Sequence, residues 1–428
     1  MSKLHVKYLL LGGGLASHAA AKAIRDLDSD GSVLLVGHEI NRPYHRPPLS
    51  KDYLLGRRPH DDLFAVGGAW YAEHDVQLRT GRRASSINVA RTTVALDDGK
   101  EVSYDRLLIA TGAAPKRMDV PGADLPGLFY LRTLADADRL RTAADKAIKE
   151  GRPNTHGTRG KVAVIGGGLL GVELATNLRQ LGLAVELATA KGHLWNKFAS
   201  EATGRLAQRR LERDSVVVRV ARPVVRLEGD GRVQRVVVAD GGSFDCDFAV
   251  AAIGAVATRD LLRNTPIAAE NAILVDERCR TSVEGVYAAG DCCAIRDPLF
   301  GKHRMVDHLD NAMVTGSIAG TNMAGGDEAY DAVSTFWTEA VGVRVDVWGD
   351  PRRVDRRLIR GNTAGDAPCY LEIGVAAEGR VAAVVRVGPA ADDEVCRELV
   401  RRRVSVNGNE EVLKDPTGDL RGLVGAGA

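Results

Sequence analysis

The sequence predicts an α/β protein: two dinucleotide-binding units of strand, glycine turn, helix and strand, followed by an α+β C-terminal domain. Three observations carry this. Two continuous apolar runs each lead into a glycine-rich turn and a helix. Each half then repeats one hairpin-and-strand pattern at the same spacing. From about Asp327 the alternation gives way to short strands and helices.

The first run is Tyr8-Leu9-Leu10-Leu11, followed by Gly12-Gly13-Gly14 and an alanine-rich helix over about 15–27. A second strand, Val33-Leu34-Leu35-Val36, ends near Glu39. Unbroken apolar strands alternating with helices indicate parallel strands covered on both faces. The unit returns at Val162-Ala163-Val164-Ile165, with Gly166-Gly167-Gly168, a helix over about 170–181 and a strand over 184–188. Between the units, 151–160 is rich in Gly, Pro, Asn and Thr and reads as a surface loop.

Asp98-Gly99 reads as a hairpin turn. Asp105 lies seven residues on, and Gly112 seven beyond that, after Leu107-Leu108-Ile109-Ala110-Thr111. Asp240-Gly241 is followed in the same way by Asp247 and Gly254. A shared spacing in both halves argues for a duplicated nucleotide-binding fold. The tail from about Pro416 is Gly-rich and reads as a mobile end.

Gly12-x-Gly14-x-x-Ser17 and Gly166-x-Gly168-x-x-Gly171 are both of the G-x-G-x-x-G type, with Ser17 a small substitute for the third glycine. The first glycine makes the tight turn, the second lets backbone approach a pyrophosphate, and the third packs helix on strand. The following helix then offers free N–H groups to phosphate. Leu15 and Ala16 open the first helix and Leu169 the second, so they join these glycines as cofactor-binding positions. Glu39 suits the adenosine ribose hydroxyls of the first dinucleotide. The second unit has Thr189-Ala190-Lys191 there and no carboxylate. Lys191 either faces a 2′-phosphate, favouring NADPH, or is a solvated surface lysine.

The chain has 428 residues, 45% hydrophobic and 27% charged, with a net charge of +2. That balance points to neither nucleic acid nor an acidic membrane as partner. No apolar run is long enough for a membrane span, and the N-terminus lacks a secretory pattern, so the expectation is a cytoplasmic protein. Six cysteines do not make a disulfide scaffold, and their spacing suggests no metal site. Arginine outnumbers lysine 45 to 13, which lowers the weight of any single arginine cluster.

At this point the residues resemble a family, the FAD-dependent NAD(P)H oxidoreductases of the ferredoxin-reductase type, which includes putidaredoxin and dioxygenase ferredoxin reductases, monodehydroascorbate reductase and apoptosis-inducing factor. The resemblance is close over about 4–350. Arg42-Pro43-Tyr44-His45-Arg46-Pro47-Pro48-Leu49-Ser50-Lys51 looks like the flavin loop, and Ala110-Thr111-Gly112 like the linker to the second domain. Leu131-Arg132-Thr133 resembles a flavin-contacting turn, and Gly285-Val286-Tyr287-Ala288-Ala289-Gly290-Asp291 the second FAD motif. Asp307-His308-Leu309-Asp310-Asn311-Ala312 resembles a helix start at the flavin pyrimidine, and Phe336-Trp337-Thr338-Glu339 a motif that stands an aromatic near the flavin face. Leu309 departs from the aromatic usual in ferredoxin reductases.

The resemblance implies two Rossmann-like dinucleotide-binding domains, for FAD and for NADH or NADPH, plus the α+β domain. The FAD domain would comprise 1–118 and 245–326, the NAD(P) domain 119–244 and the C-terminal domain 327–428. It also implies cofactor-binding positions at Arg46, Lys51, Ala84, Thr111, Gly112, Arg132, Gly254, Gly290, Asp291, Asp307, His308 and Trp337. Lys51 and Glu173 are expected as a buried ion pair beside the flavin, where charge near N5 matters to hydride transfer. Without the family, Lys51 is an exposed loop lysine and Glu173 a helix-start acid. His308 is either a third catalytic residue at the flavin pyrimidine or a half-buried structural histidine.

No cysteine lies between Pro43 and Lys51, where related disulfide reductases carry a C-x4-C pair. Cys292 and Cys293 read as inert packing. Arg352, Arg353, Arg356, Arg357 and Arg360 cluster; if helical, 352, 356 and 360 share a face that would dock a small acidic ferredoxin-type protein. Solvated surface is the preferred reading of that cluster. The expected function is hydride transfer from NAD(P)H to FAD and electron delivery to a separate acceptor, by a monomer or homodimer. A reductase of a quinone or monodehydroascorbate-like radical, and a redox-sensing flavin-binding protein, are the alternatives.

Overall fold

The computed structural model describes residues 4–151, 159–365 and 367–425. The chain divides into two compact units: residues 1–45, 60–114 and 255–334, and residues 46–59, 115–254 and 335–428.

In the first unit a parallel sheet runs in the order Val76–Arg79, Val33–Val36, Leu4–Leu11, Glu101–Ile109, Val286–Ala288. Leu9, Leu10, Leu34, Leu35, Leu107 and Leu108 are wholly buried, as strands covered on both faces require. An antiparallel arm, Ala84–Asn88 and Thr93–Leu96, pairs with the start of Glu101–Ile109. Its turn is the expected Asp98-Gly99, with Gly99 at φ +78° and Leu96 N–H donating to Lys100 O at 2.8 Å.

The helices Leu15–Leu27 and Leu309–Met323 lie backbone against backbone. A Cβ built at Gly316 would stand 2.2 Å from Ala16 O, and one at Gly320 2.3 Å from Ala20 O. Two glycines one turn apart, facing two alanines one turn apart, are what permit this approach.

In the second unit a parallel sheet runs Val217–Arg219, Ala184–Ala188, Lys161–Ile165, Phe248–Ala251, Leu128–Phe129. The antiparallel arm is Val224–Glu228, Arg235–Val238 and Ser243–Asp245, turning at Asp240-Gly241. The duplication read from the sequence is therefore present as two matching sheets with matching arms. Residues 335–387 add a five-stranded antiparallel sheet, order Thr335–Ala340, Val343–Gly349, Val381–Val387, Cys369–Val375, Arg356–Asn362. The helix Asp393–Arg401 buries Val395, Cys396, Leu399 and Val400.

Two sequence expectations need correcting. Arg356, Arg357 and Arg360 lie on a strand, so the arginines share no helix face. Spacing of four fits a helix, but Leu358 and Arg360 alternate inward with period two. Arg360 is 7% exposed and donates to the carbonyls of Val412, Pro416 and Gly418. Arg357 is largely buried against Glu372, so solvated surface describes the exposed Arg352 and Arg356 but neither Arg357 nor Arg360. The same Arg360 bonds tie down the tail, which ends in a helix, Arg421–Val424, with Val424 buried. Residues 152–158 of the inter-unit loop and the last three residues lie outside the described residues.

Candidate functional site

The first glycine turn is built for close approach. Gly12 has φ +132°, and a Cβ there would stand 2.0 Å from Ala110 O. Gly14 caps the Leu15–Leu27 helix without a side-chain hydrogen bond, and the first turn carries no acid. A Cβ at Gly14 would meet nothing within 4 Å. The helix N-terminus thus opens onto free space with its amides and positive dipole end available. Ser17 is wholly buried, and its Oγ has no partner in the described structure. Leu15 and Ala16 are buried in the same turn.

Of the other predicted residues of this unit, Thr111 and Gly290 lie against that turn. Gly290, at φ +75°, comes so close that a Cβ on it would be 3.2 Å from the Ala16 methyl. Its N–H donates to Thr315 Oγ1 at 3.0 Å, which seats the adjacent, buried Asp291. Thr111 Oγ1 donates to Thr258 O at 3.0 Å, and Gly112 O accepts from Thr258 N, clamping the linker. Glu39 O accepts from Gly81 N, and its Oε2 accepts from the Tyr44 hydroxyl at 2.6 Å. Ala84 starts the strand just beyond this corner. Asp307 is exposed, and the half-buried His308 caps the Leu309–Met323 helix, as the motif implied. An open cradle, a carboxylate corner and a second acidic turn fit a dinucleotide such as FAD.

The second cradle repeats the first. Gly166 has φ +124°, and a Cβ there would be 2.2 Å from Ala252 O. Gly168 opens onto space free of atoms within 4 Å, and caps the Leu169–Gln180 helix without side-chain help. A Cβ at Gly171 would be 1.9 Å from Gly166 O, so only glycine lets this helix pack on its turn. Gly254, at φ +115°, follows the Phe248–Ala251 strand. Thr189 is buried and Lys191 is exposed.

Within the second unit, Lys51 and Glu173 meet. Lys51 Nζ is 2.7 Å from Glu173 Oε1, with both side chains largely buried. Thr338 Oγ1 donates to Oε1 at 2.7 Å, and Ser50 Oγ to Oε2 at 2.6 Å. Asn177, one turn along the helix from Glu173, donates to Ser50 O at 2.7 Å. Three donors hold the carboxylate, which is what a buried charge needs. Trp337 is 39% exposed, and its ring lies 5.3 Å from Lys51 Nζ and 5.1 Å from the Arg344 guanidinium. Arg46 donates to Arg132 O at 2.6 Å, in the turn before the Leu134–Glu150 helix. Thr133 and Asp136 form a capping box there.

Cys292 and Cys293 are buried free thiols. Their sulfurs donate to the carbonyls of Ile109, Ala289 and Gly290, and burial pushes both thiols up from their ordinary range. Among the described residues, no cluster of His, Cys, Asp or Glu is arranged to hold a metal.

Sequence reasoning missed Ser50, Asn177 and Thr338. Ser50 and Thr338 neighbour motif residues Lys51 and Trp337, and Asn177 shares a helix face with Glu173, so adjacency was the available signal. It also missed Glu372, a wholly buried carboxylate.

Residues 6–316 match the family model described as Pyridine nucleotide-disulphide oxidoreductase, and 335–424 the model described as Reductase C-terminal. The chain is 33% identical over 419 residues to the biphenyl dioxygenase system ferredoxin–NAD(+) reductase component of Paraburkholderia xenovorans (strain LB400), covering 97% of this chain and 98% of the relative. It is 27% identical over 355 residues to the rubredoxin–NAD(+) reductase of Pseudomonas putida, covering 83% and 89%. A crystal structure of the covalent putidaredoxin reductase–putidaredoxin complex superposes with a TM-score of 0.89, at 25% identity and 98% coverage of both chains. No helix among the described residues is long and apolar enough to cross a membrane.

Proposed function

Because this chain belongs to the pyridine nucleotide-disulphide oxidoreductase family, we propose that it is an FAD-dependent NAD(P)H oxidoreductase serving a separate, small ferredoxin-type iron–sulfur protein. One observation carries the reading. Two open glycine cradles stand in a chain whose relatives, along nearly its whole length, are named ferredoxin–NAD(+) reductases.

Bound FAD supplies the conversion of a two-electron hydride donor into single electrons. The residues of the chain do the rest. The amides after Gly12 and Gly14 hold the FAD pyrophosphate, and Glu39 takes the adenosine ribose hydroxyls. Asp291 and the helix start at His308 are assigned to the flavin half of that cofactor, together with Arg46 and Arg132. The second cradle holds the nicotinamide dinucleotide. Glu173, fixed by Ser50 and Thr338, holds the Lys51 ammonium in one place. That ammonium is assigned to the redox end of the flavin, where a fixed positive charge favours the charge that hydride brings. Trp337 is assigned to shielding the same end from water. The division 1–118 with 245–326, 119–244 and 327–428 is retained within this proposal with one shift: the strand Phe248–Ala251 pairs with Lys161–Ile165 and Leu128–Phe129 and so goes with 119–244. Six cysteines with no disulfide suit a reducing cytoplasm.

The test is anaerobic rapid mixing of the yellow protein with NADH and NADPH separately, followed by flavin absorbance. The bleached protein is then mixed with an oxidised [2Fe–2S] ferredoxin. Fast bleaching and prompt ferredoxin reduction are expected. Bleaching by neither nucleotide over minutes would overturn the reductase reading.

A further inference from the structure

One hairpin joins the two segments assigned to the flavin half of FAD. Its first strand, Cys293–Asp297, follows Asp291, and its second, Lys302–Met305, leads into Asp307 and His308. The first strand is anchored, because it also pairs in parallel with Ile273–Val275. The second is the edge of that sheet. Its register on the first strand therefore sets where Asp307 and His308 begin, and one residue of slip is about 3.4 Å.

The apolar pattern separates the registers poorly. Ala294 and Met305 share one face with the exposed Arg296 and His303, and Ile295 shares the other with Asp297 and Arg304. Each face thus mixes apolar and charged residues. What separates the registers is the pair Asp297–Arg304, set diagonally across the hairpin, with residues 1% and 4% exposed. Arg304 Nη2 also donates to Ser334 Oγ at 3.0 Å, and its guanidinium lies 4.6 Å from the Phe300 ring centroid in the turn. Asp297 accepts from Leu299 N at 2.9 Å, and its carbonyl accepts from Gly301 N at 2.8 Å. A slip of one residue would turn Arg304 to the exposed face and leave a buried carboxylate without its cation. As a source of stability such a pair is poor, since apolar residues of like volume do as well or better. Its distinctive effect is to raise the energy of every register but one.

Both ends of the hairpin meet the same helix, Leu309–Met323. Thr315 Oγ1 accepts from Gly290 N at 3.0 Å and donates to Asn311 O at 2.6 Å. Asn311 Nδ2 donates to Val306 O at 2.9 Å. Entry and exit are tied to one helix, and the hairpin closes the circuit between them.

We propose that Asp297 and Arg304 are positioning residues for the flavin, which hold the hairpin in the one register that spaces Asp291 and the His308 helix start for the cofactor. This rests on reading the first cradle as the FAD site.

The test replaces the pair by apolar residues, Asp297→Leu with Arg304→Met, in the full-length, FAD-loaded protein. Urea unfolding reads stability, while visible circular dichroism of the bound flavin and its rate of release on dilution read position. The double variant is expected to unfold at no lower urea than wild type, yet to release FAD about tenfold faster and to show an altered flavin spectrum. A stable double variant with wild-type release and spectrum overturns the proposal. If it does not fold, Arg304→Lys carries the test, since it keeps the charge and gives up the fork that reaches both Asp297 and Ser334. Faster release at an unchanged urea midpoint supports the pair as a positioning device. Wild-type release, or faster release matched by an equal loss of stability, overturns it. A wild-type protein that binds no FAD overturns this proposal and the reading of the first cradle together, whereas the variant results bear on the pair alone.

Discussion

Lys51 and Glu173 lie 2.7 Å apart, and the carboxylate is further held by hydroxyls from Ser50 and Thr338. Three stretches of chain thus converge on one buried charge pair, whose members act on each other in two separable ways. Glu173→Gln keeps the shape and releases Lys51, and should slow flavin reduction about tenfold, about 1.4 kcal/mol of barrier. Lys51→Ala instead leaves a buried carboxylate without its cation, at a cost of about 3 kcal/mol. The double variant should recover most of that stability but none of the rate. Urea unfolding and rapid-mixing kinetics on the four proteins read both effects. Equal stability of K51A and wild type would remove the pair from the account.

Glu372 is wholly buried in the C-terminal sheet, yet it reaches the helix Glu201–Arg213 of the second Rossmann-like region. It accepts from Ser200 N at 2.9 Å, from the Ser200 and Thr203 hydroxyls, and from Arg357 at 3.1 Å. Burial lowers the tendency of Arg357 to stay charged, and Glu372 opposes this. Glu372→Ala would strand these donors and one buried cation. A loss of about 3 kcal/mol or more in urea unfolding is expected, with Glu372→Gln intermediate.

Asp28 closes the first helix and accepts from the Lys7 ammonium and the Tyr8 hydroxyl at 2.7 Å each, and from Gly31 and Asp30 N–H groups. The Lys7 and Tyr8 bonds, with that of Gly31, hold its carboxyl well below the usual carboxylate range. Folding therefore favours the ionised form. The resulting stability is complete above the unfolded carboxylate's pKa of about 3.9 and is lost as pH falls through lower values. Asp28→Asn should lower the melting temperature at pH 7. Its gap from wild type should begin to close below about pH 4. A gap that is constant from pH 7 to pH 3 would show that the Asp28 charge contributes nothing.

Much of this was legible because it depends on local requirements. The turns at Gly12, Gly166, Gly254 and Gly290 need left-handed backbone that few residues but glycine adopt, so the residue type announces the geometry. Buried parallel strands need unbroken apolar runs, and Leu9–Leu11 and Val162–Ile165 supply them. What escaped depends on partners far away in sequence. Glu372 sits in Cys-Tyr-Leu-Glu-Ile-Gly-Val, where nothing local signals that four donors await it. Arg360 looked like one more surface arginine because its acceptors, carbonyls more than fifty residues on, carry no sequence signature. The counterpart of Glu39 was legible only as the stretch Thr189-Ala190-Lys191, and backbone bonding narrows it to Lys191, whose carbonyl accepts from Ala221 N as that of Glu39 does from Gly81 N. The first strand reaches its acidic corner through Gly37-His38, the second through Thr189-Ala190, and the side chains share nothing that aligns them.

The contact of Gly316 with Ala16 links helix packing to the first cradle. Ala16 is in the opening turn of the Leu15–Leu27 helix, whose amides face the cradle, and its backbone is where a Cβ from residue 316 would collide, 2.2 Å from the carbonyl oxygen. The obstacle is backbone, so no rotamer relieves it, and the helices must separate. Gly316→Ala should cost about 1–3 kcal/mol as overpacking. Displacement of the Ala16 turn should also loosen the pyrophosphate amides, so the purified variant should carry less FAD per chain by absorbance and lose it faster in mild urea. Ser317, the next residue on the same helix and half-buried, supplies the control, since Ser317→Ala removes a hydroxyl and adds no bulk. Full flavin occupancy in G316A, with the expected loss of stability, would show that the cradle tolerates movement of its own helix.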